Sequence, residues 1–352
     1  MKKTILLSVL ILSTSTFAAT IGTWGTADFT VGSWNNASSW QGGAVPVPTA
    51  STSDEIKVQR QGSDTTIDGV SGASYDYIQR LSIGSNDAAG ATAPAIVRIQ
   101  ESDSQNPTVF GMGEFRVGAA QGSDKGGWGE VYQTGGTLSV SDLFISRNKA
   151  QTGGTTGRGL YVISGGTLQV RSGASSSAGR IFVGSYAETS GPAGIGKLVI
   201  DGDDAIISMN HLYVGSNTRT ENTTGAGDGT LEFKLTAAGK VSKITVVDTR
   251  LDQVADSLTK LLVTATSAPT DEVILLIENT GAAAVLGTFD TINGIAASEG
   301  AAVNLAGSNY ILTYLYDAVS GTVGAGNDIA LIIPEPVTFA FIGLGYLIIR
   351  RK

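Results

Sequence analysis

Cysteine is absent from this sequence, histidine occurs once, and charged residues are scarce. Of the 352 residues, 15% are charged, 8 are proline and none is cysteine. Without disulfides, the chain must draw its stability from an extended core or from bound ions. The single histidine, His211, excludes a histidine-rich zinc site and any Cys–His catalytic pair. Its place just before Leu212 predicts an exposed turn residue at the start of a strand.

The charge balance is acidic, and no basic stripe interrupts it. The chain has 23 Lys and Arg against 31 Asp and Glu, a formal net charge of −8. Such a surface is a poor partner for the phosphates of nucleic acid. No Gly-x-Ser-x-Gly elbow surrounds a plausible nucleophile either. We therefore expect a non-catalytic protein that does not bind nucleic acid.

Glycine, by contrast, is abundant, with 47 residues. It separates short apolar-alternating segments of three kinds, which recur in a fixed order. Such period-2 segments between glycine-rich corners are typical of strands and turns. A polar run without apolar periodicity follows each segment of the third kind. One unit contains Gly159 to Val162, Gly166 to Val170 and Ile181 to Gly184.

Three strands in each unit of roughly 30 residues predict an all-β fold, a right-handed parallel β-helix or solenoid. Each strand would pair with its equivalent one coil away, at about 4.8 Å. The polar runs would leave the stack as loops on one side. The competing interpretation is an antiparallel sandwich or jelly roll, in which the same strands pair as hairpins. The apolar ladders expected inside the solenoid contain Leu138, Val140, Leu168, Val170, Ile207 and Met209.

The repeat resembles those of exported bacterial proteins with passenger-like, autotransporter-type β-helices. Tyr132 to Val140 and Tyr161 to Val170 carry the shared Tyr-x-x-x-Gly-Gly-Thr-Leu-x-Val pattern. The start of the chain is similar to the opening cap of those proteins. There, Trp34 and Trp40 have the area to cover the first coil. The alternative is that these tryptophans stack on sugar rings.

A small antiparallel β cap is expected to close the far end of the stack. Without it, the last strands would expose unpaired backbone groups that could pair with another chain. Leu251 to Leu262 fit a helical face, although Leu261 to Thr264 read equally as a strand. Later strands are predicted at Glu272–Glu278, Ala284–Phe289, Tyr310–Tyr316 and Asp328–Ile333. The whole chain then divides into a signal peptide (1–18), an N-terminal cap (19–60), β-solenoid repeats (61–250), a C-terminal β cap (251–333) and a sorting signal with a short membrane helix (334–352).

Both termini have the composition of targeting signals. Lys2-Lys3, an apolar stretch from Thr4 to Leu12 and small residues up to Ala18 or Ala19 predict a secretory signal peptide. At the other end, prolines precede an uncharged run from Val337 to Ile349 that ends on three cations. Such a helix would reach roughly 20 Å, less than the hydrocarbon core of a bilayer. The alternative is a buried core helix, but such helices seldom end on a cationic cluster.

The C-terminus resembles the PEP-CTERM sorting signal, because Pro334-Glu335-Pro336 precede the apolar run and Arg350-Arg351-Lys352 follow it. The resemblance implies processing at Pro334, Glu335 and Pro336 by an exosortase, a membrane protease-transferase of polysaccharide-producing bacteria. It also implies insertion in the inner membrane before processing, with Arg350 and Arg351 on the cytoplasmic side. The product would then lie at the cell surface or in the extracellular matrix.

Asp201, Asp203 and Asp204 form the densest acidic cluster, between two expected strands. Carboxylates at this spacing hold Ca²⁺ in some proteins, and acidic clusters on β-solenoids act on polysaccharides in others. The plainer interpretation is a solvated turn. Apart from this possible calcium ion, we expect no cofactor.

Three classes of function remain. The first is a surface or matrix protein that is structural or adhesive and contacts extracellular polysaccharide. The others are a polysaccharide-active lyase or glycosidase and a passive membrane-anchored stalk.

Overall fold

The computed structural model describes residues 20–24, 31–33, 55–58, 62–69, 78–84, 93–105, 107–118, 127–148, 156–171, 179–187, 194–215, 227–251 and 257–334. This part of the chain is all-β and contains no helix. The first strands are β1 (Thr20–Trp24), β2 (Val31–Ser33), β3 (Glu55–Val58), β4 (Asp64–Ile67), β5 (Ile78–Ile83), β6 (Ala95–Ile99), β7 (Val109–Val117) and β8 (Trp128–Gln133).

The middle of the chain forms β9 (Thr137–Asn148), β10 (Arg158–Ile163), β11 (Gly166–Val170), β12 (Arg180–Ala187), β13 (Ile195–Asp201), β14 (Ala205–Val214), β15 (Asp228–Leu235) and β16 (Ile244–Leu251). The remaining strands are β17 (Leu258–Ala265), β18 (Val273–Asn279), β19 (Thr291–Ile292), β20 (Ile295–Ala296), β21 (Ala302–Leu305), β22 (Ser308–Asp317), β23 (Thr322–Val323) and β24 (Asp328–Ile332).

These strands wind into a β-solenoid with two sheets. From β1 to β19 successive strands alternate between two sheets, except that β11 and β12 both belong to the larger one. The larger sheet is ordered β1-β3-β5-β7-β9-β11-β14-β16-β18-β24-β22-β21, with β12 beside β9 and β14 and β23 beside β22; the smaller one is ordered β2-β4-β6-β8-β10-β13-β15-β17-β19-β20. From β1 to β18 each strand pairs in parallel with its equivalents in the adjacent turns; in β8 and β10, for example, Trp128 lies opposite Arg158. The solenoid prediction is therefore confirmed, and hairpin pairing of these strands is excluded.

The predicted apolar ladders form the core. Leu138 lies opposite Leu168, which in turn lies opposite Ile207, and all three side chains are buried. Val140, Val170 and Met209 form a second ladder in the same way. Inward and outward residues alternate along a strand, so in-register pairing places equivalent side chains directly above one another. The period-2 pattern therefore specifies both the buried face and the register.

The larger sheet is bent once in each turn, and this bend differs from the expected three separate strands. In β7, β9 and β14 the second and third segments continue as one strand, whereas β11 and β12 are separate. Gly113, Ser141 and Asn210 are skipped in the pairing with the adjacent turn. Beyond each of them, the alternation of inward and outward side chains is shifted by one residue. A residue left unpaired between two ladders bends the strand, as in a β-bulge.

A left-handed residue lies at or near the end of the larger-sheet strand in several turns. The φ angles are 62° or 63° at Gly84, Gly118, Ser146, Gly184 and Gly215. A Cβ atom at Gly118 would overlap the carbonyl oxygen of Arg158, so both φ and close packing favour glycine there. The polar connecting segments start after these residues, at equivalent corners of successive turns. The expectation that these segments lie on one side of the stack concerns residues outside the described ranges.

The parallel turns continue beyond the expected boundary at residue 251. β17 pairs in parallel with β15, and β18 with β16, so 258–262 form a strand instead of a helix. The antiparallel part begins where β24 pairs with β18 and β22. The strands expected near 272–278, 310–316 and 328–333 are present. The one expected at 284–289 is absent, and Leu286 makes only an isolated bridge to Arg250.

Several predicted features lie outside the described residues. They include the signal peptide at 1–18, Trp34, Trp40 and everything after Pro334. Within the residues described, the structure contains no helix with the length and hydrophobicity needed to cross a bilayer.

Candidate functional site

The acidic cluster at Asp201, Asp203 and Asp204 forms a turn between β13 and β14. Gly202 has φ 92°, and Asp203 and Asp204 are exposed. Asp201 is 3.2 Å from the Nζ of Lys234, on the next turn of the solenoid. Among the described residues no group of three or more His, Cys, Asp or Glu side chains is arranged to hold a metal ion. The geometry is that of a solvated turn tied to its neighbour by one ion pair.

His211 lies inside β14 instead of in a turn, which corrects the sequence-based interpretation. It pairs with Arg180 on one side and Asp248 on the other, and its side chain is half-buried. Its Nδ1 is 3.3 Å from the carboxylate of Asp248. The misplacement has a simple cause: β14 continues across the bend at Asn210, so no turn precedes Leu212.

His211 belongs to a charged column on the outer face of the larger sheet, beyond the bend. The column contains, turn by turn, Arg80, Glu114, Asp142, Arg180, His211 and Asp248. Arg180 donates two hydrogen bonds to Asp142, at 2.8 and 2.6 Å, and both side chains are buried. Adjacent turns are therefore linked by charge pairs as well as by backbone ladders.

An aromatic column, made of Phe144, Phe182 and Tyr213, runs beside the charged column. Ring centroids are 4.9 Å apart for Phe144 and Phe182 and 4.7 Å for Phe182 and Tyr213, with nearly parallel planes. The guanidinium of Arg250 lies over Tyr213 at 5.6 Å. The three side chains are at most 6% exposed, and burial raises the pKa of Tyr213. Because these rings stack on one another, their faces are not free to stack on a ligand.

Glu114 and Asp142 are the neighbouring carboxylates of the charged column, on strands that lie about 4.8 Å apart. Glu114 forms ion pairs with Arg80 and Arg116, and Asp142 pairs with Arg180. A general acid for glycoside cleavage must hold a proton, whereas an arginine partner favours the ionised carboxylate. The pair has the environment of structural ion pairs.

A second group of side chains lies on the outer face of the smaller sheet; we call it the Trp128 platform. It consists of Trp128, Glu130 and Tyr132 of β8, with Arg98 of β6 and Arg158 of β10. The Nε1 of Trp128 donates to Glu130 at 3.1 Å, and the hydroxyl of Tyr132 donates to the same carboxylate at 2.6 Å. Burial first, and then this hydrogen bond, raise the pKa of Tyr132 to about 12.

Two arginines flank the Trp128 platform in different states. The guanidinium of Arg98 lies 5.2 Å from the ring centroid of Tyr132 and makes a bidentate pair with Asp64. That of Arg158 lies 5.7 Å from the ring centroid of Trp128, and Arg158 is exposed. Within the described residues, the guanidinium of Arg158 donates no hydrogen bond and has no acidic partner.

Sequence reasoning overlooked the Trp128 platform, although a signal for it was present. Trp128, Glu130 and Tyr132 alternate along one strand and must share a face. Gly129 and Gly159 begin equivalent repeat segments, so Arg158 must lie beside Trp128. The aligned repeats would therefore have revealed the cluster.

Of the predicted sorting residues, Pro334 is described and the others are not. It is exposed and lies two residues after the end of β24, a strand flanked on both sides by other strands. The amide of Ile333 still donates to the carbonyl of Glu272 at 2.8 Å. The ordered sheet thus ends where the Pro334-Glu335-Pro336 motif begins. Glu335, Pro336, Arg350 and Arg351 lie outside the described residues.

Comparison with protein-family models, with curated proteins and with solved structures found no match to this chain.

Proposed function

We propose that this chain is an exported, non-catalytic structural or adhesive protein of the bacterial cell surface or extracellular matrix, sorted through its C-terminal signal. The observation that carries the proposal is the order of residues at Pro334 to Lys352, together with a secretory signal at the N-terminus. In this proposal an exosortase-type protease processes the chain at the inner membrane, and extracellular polysaccharide is the expected partner.

Two features of the fold support the proposal. First, Pro334 is exposed and lies two residues after the end of β24, so processing after it would leave the described sheet whole. Second, repeated parallel turns make a rigid scaffold, and its connecting segments begin at equivalent corners. Such a scaffold suits display of repeated surfaces outside the cell.

The non-catalytic part of the proposal rests on the arrangement of ionisable groups. Glu114 and Asp142 are each held by arginine, and His211 by Asp248. A polysaccharide-active enzyme would need one carboxyl group that keeps its proton beside one that does not. No specific observation favours that alternative, so we do not propose it.

The experiment is cell fractionation with a truncated chain. Removal of residues 335–352 leaves all the described residues intact, so we expect a folded protein that is exported but no longer sorted. The full chain should occur in the surface or matrix fraction, and the truncated chain in the periplasm or the medium. The exposed cap substitution Val319→Ala is the matched control, because it should leave sorting unchanged.

Two results would contradict the proposal. If both chains occur in the same fraction, the tail does not sort the protein. If surface protein retains the entire tail, the molecule is a membrane-anchored stalk instead of a processed product.

A further inference from the structure

The Trp128 platform is an outward-facing cluster that the core does not require. Trp128, Glu130 and Tyr132 occupy alternate positions of β8, and all point away from the buried face that contains Val131. All three are half-buried and keep part of their surface in solvent. An aromatic pair around a carboxylate, with arginines beside each ring, combines apolar and hydrogen-bonding surface in one place.

Trp128 supplies a flat apolar surface beside an exposed cation. In the same column of the smaller sheet, Trp128 is followed by Arg158 and then by Ile195, which is 43% exposed. A sugar ring has an apolar face of C–H groups and a rim of hydroxyls. It therefore matches an indole surface bordered by polar groups, since indole offers apolar area and an N–H donor together.

Arg158 gives the Trp128 platform a preference for negatively charged ligands. Arg98 is neutralised by Asp64 through a bidentate pair, whereas the guanidinium of Arg158 has no acceptor within the described residues. A guanidinium presents a planar fork of donors that fits a carboxylate bidentately. The guanidinium lies 5.7 Å from the ring centroid of Trp128, and Arg158 is exposed, so the donors of the fork are accessible from solvent.

Glu130 and Tyr132 hold the platform in one conformation. Glu130 accepts hydrogen bonds from both neighbouring aromatic side chains, so the indole and the phenol are oriented before any ligand arrives. The hydroxyl of Tyr132 is protonated at physiological pH, as in any tyrosine, and it donates to Glu130 at 2.6 Å. A preorganised surface loses less side-chain entropy on binding.

We propose that the Trp128 platform binds an acidic polysaccharide, with a sugar ring packed on the exposed part of Trp128 that Arg158 leaves uncovered and its carboxylate held by Arg158. The inference rests on the surface function proposed above and names the class of polymer that this function requires. It concerns described residues alone.

The test is a binding titration of the purified full chain in mild detergent. The probes are oligogalacturonate, alginate oligosaccharides, fully methyl-esterified oligogalacturonate and polyglutamate. We expect binding to at least one of the two uronate probes, weaker binding to the ester and none to polyglutamate. Arg158→Gln and Trp128→Ala should each weaken uronate binding by about tenfold or more, as loss of a charge-assisted hydrogen bond or of a stacked ring does.

Matched controls distinguish the site from general charge effects. Arg171→Ala removes an exposed arginine from the other sheet and should leave binding unchanged, while Trp128→Phe should retain part of it. The inference is overturned if the full chain binds neither uronate. It also fails if Arg158→Gln and Trp128→Ala bind as the parent chain does, or if polyglutamate binds equally well. Fractionation does not enter this experiment, so failure here leaves the sorting proposal standing.

Discussion

The parallel turns of the solenoid and the antiparallel cap use glycine under different constraints. In the turns, a Cβ at Gly118 would overlap the backbone of Arg158 in β10. The strand β10 lies one turn beyond β8, which is the strand that follows Gly118 along the chain. In the cap, Gly321 also has a positive φ, of 71°, but nothing lies within 4 Å of the Cβ position. The comparison shows that the corner at Gly118 restricts both the backbone angle and the space, whereas the turn at Gly321 restricts only the angle.

The largest effect is expected for Gly118→Ala. An L-residue in the left-handed region costs roughly 1–2 kcal/mol, and overpacking adds about 1–3 kcal/mol. The free energy of unfolding should therefore fall by roughly 2–5 kcal/mol, measured by urea denaturation. Gly321→Ala is the matched control and should cost only about 1–2 kcal/mol. Equal losses of unfolding free energy in the two variants would show that a Cβ fits at Gly118 without overlap.

The cap also differs in using a side chain to continue a sheet. Asn293 accepts a hydrogen bond from the amide of Val263 at 2.8 Å and donates to the carbonyl of the same residue at 2.9 Å. The side chain of Asn293 thus pairs with the backbone N–H and C=O of β17 at a position that the short strand β19 does not reach. The turns need no such device, because each strand there is followed by its equivalent.

Asn293→Ala should therefore weaken the junction between the turns and the cap. Two hydrogen bonds at about 0.5–1.5 kcal/mol each, and a left-handed φ of 49°, predict a loss of roughly 2–3 kcal/mol in thermal or urea unfolding. The matched variant Asn304→Ala removes a side-chain amide that donates to Asn309 and accepts from the backbone amide of Gly307. Both of these hydrogen bonds are exposed to solvent, so we expect a loss of less than about 1 kcal/mol there. A larger loss at Asn304 would reverse this assignment.

The smallest effect is expected at Ser146, which among the left-handed corner residues of the described turns is the one that is not glycine. Its φ is 62°, and its hydroxyl donates to the carbonyl of Gly157 at 2.7 Å. Ser146→Gly relieves about 1–2 kcal/mol of backbone strain but loses a buried hydrogen bond worth about 0.5–1.5 kcal/mol, so stability should change by less than about 1 kcal/mol. Ser146→Ala keeps the strain and should be less stable than Ser146→Gly; the opposite ranking by urea unfolding would contradict this account.

Most of the solenoid was predictable because one physical rule governs it. The period-2 pattern at Leu138, Val140 and their equivalents specifies which face is buried, and glycine marks the corners. The bend was not predictable, since Gly113, Ser141 and Asn210 favour turns but Val247 occupies the equivalent position in β16 and does not. The cap boundary was misjudged because Leu251 and Leu258 fit both a helical and a strand pattern.

The outer faces were harder to predict than the core. Phe182 and Tyr213 lie at outward positions, which the alternation alone assigns to solvent, yet both are buried. They are buried because they stack on equivalent side chains in adjacent turns. Which side chains stack is determined by the register between strands, so no single segment predicts it. The Trp128 platform is the opposite case, because the sequence was sufficient to predict it. The alternation along β8 places Trp128, Glu130 and Tyr132 on one face, and the alignment of the repeats places Arg158 beside Trp128.

Mass spectrometry of the protein extracted from the cell surface tests the central claim most directly. The account predicts a mature chain that begins at Ala19 or Thr20 and ends after Pro334 but before Arg350, with the solenoid and cap whole. Recovery of an intact chain from Met1 to Lys352, found only inside the cell, would contradict it.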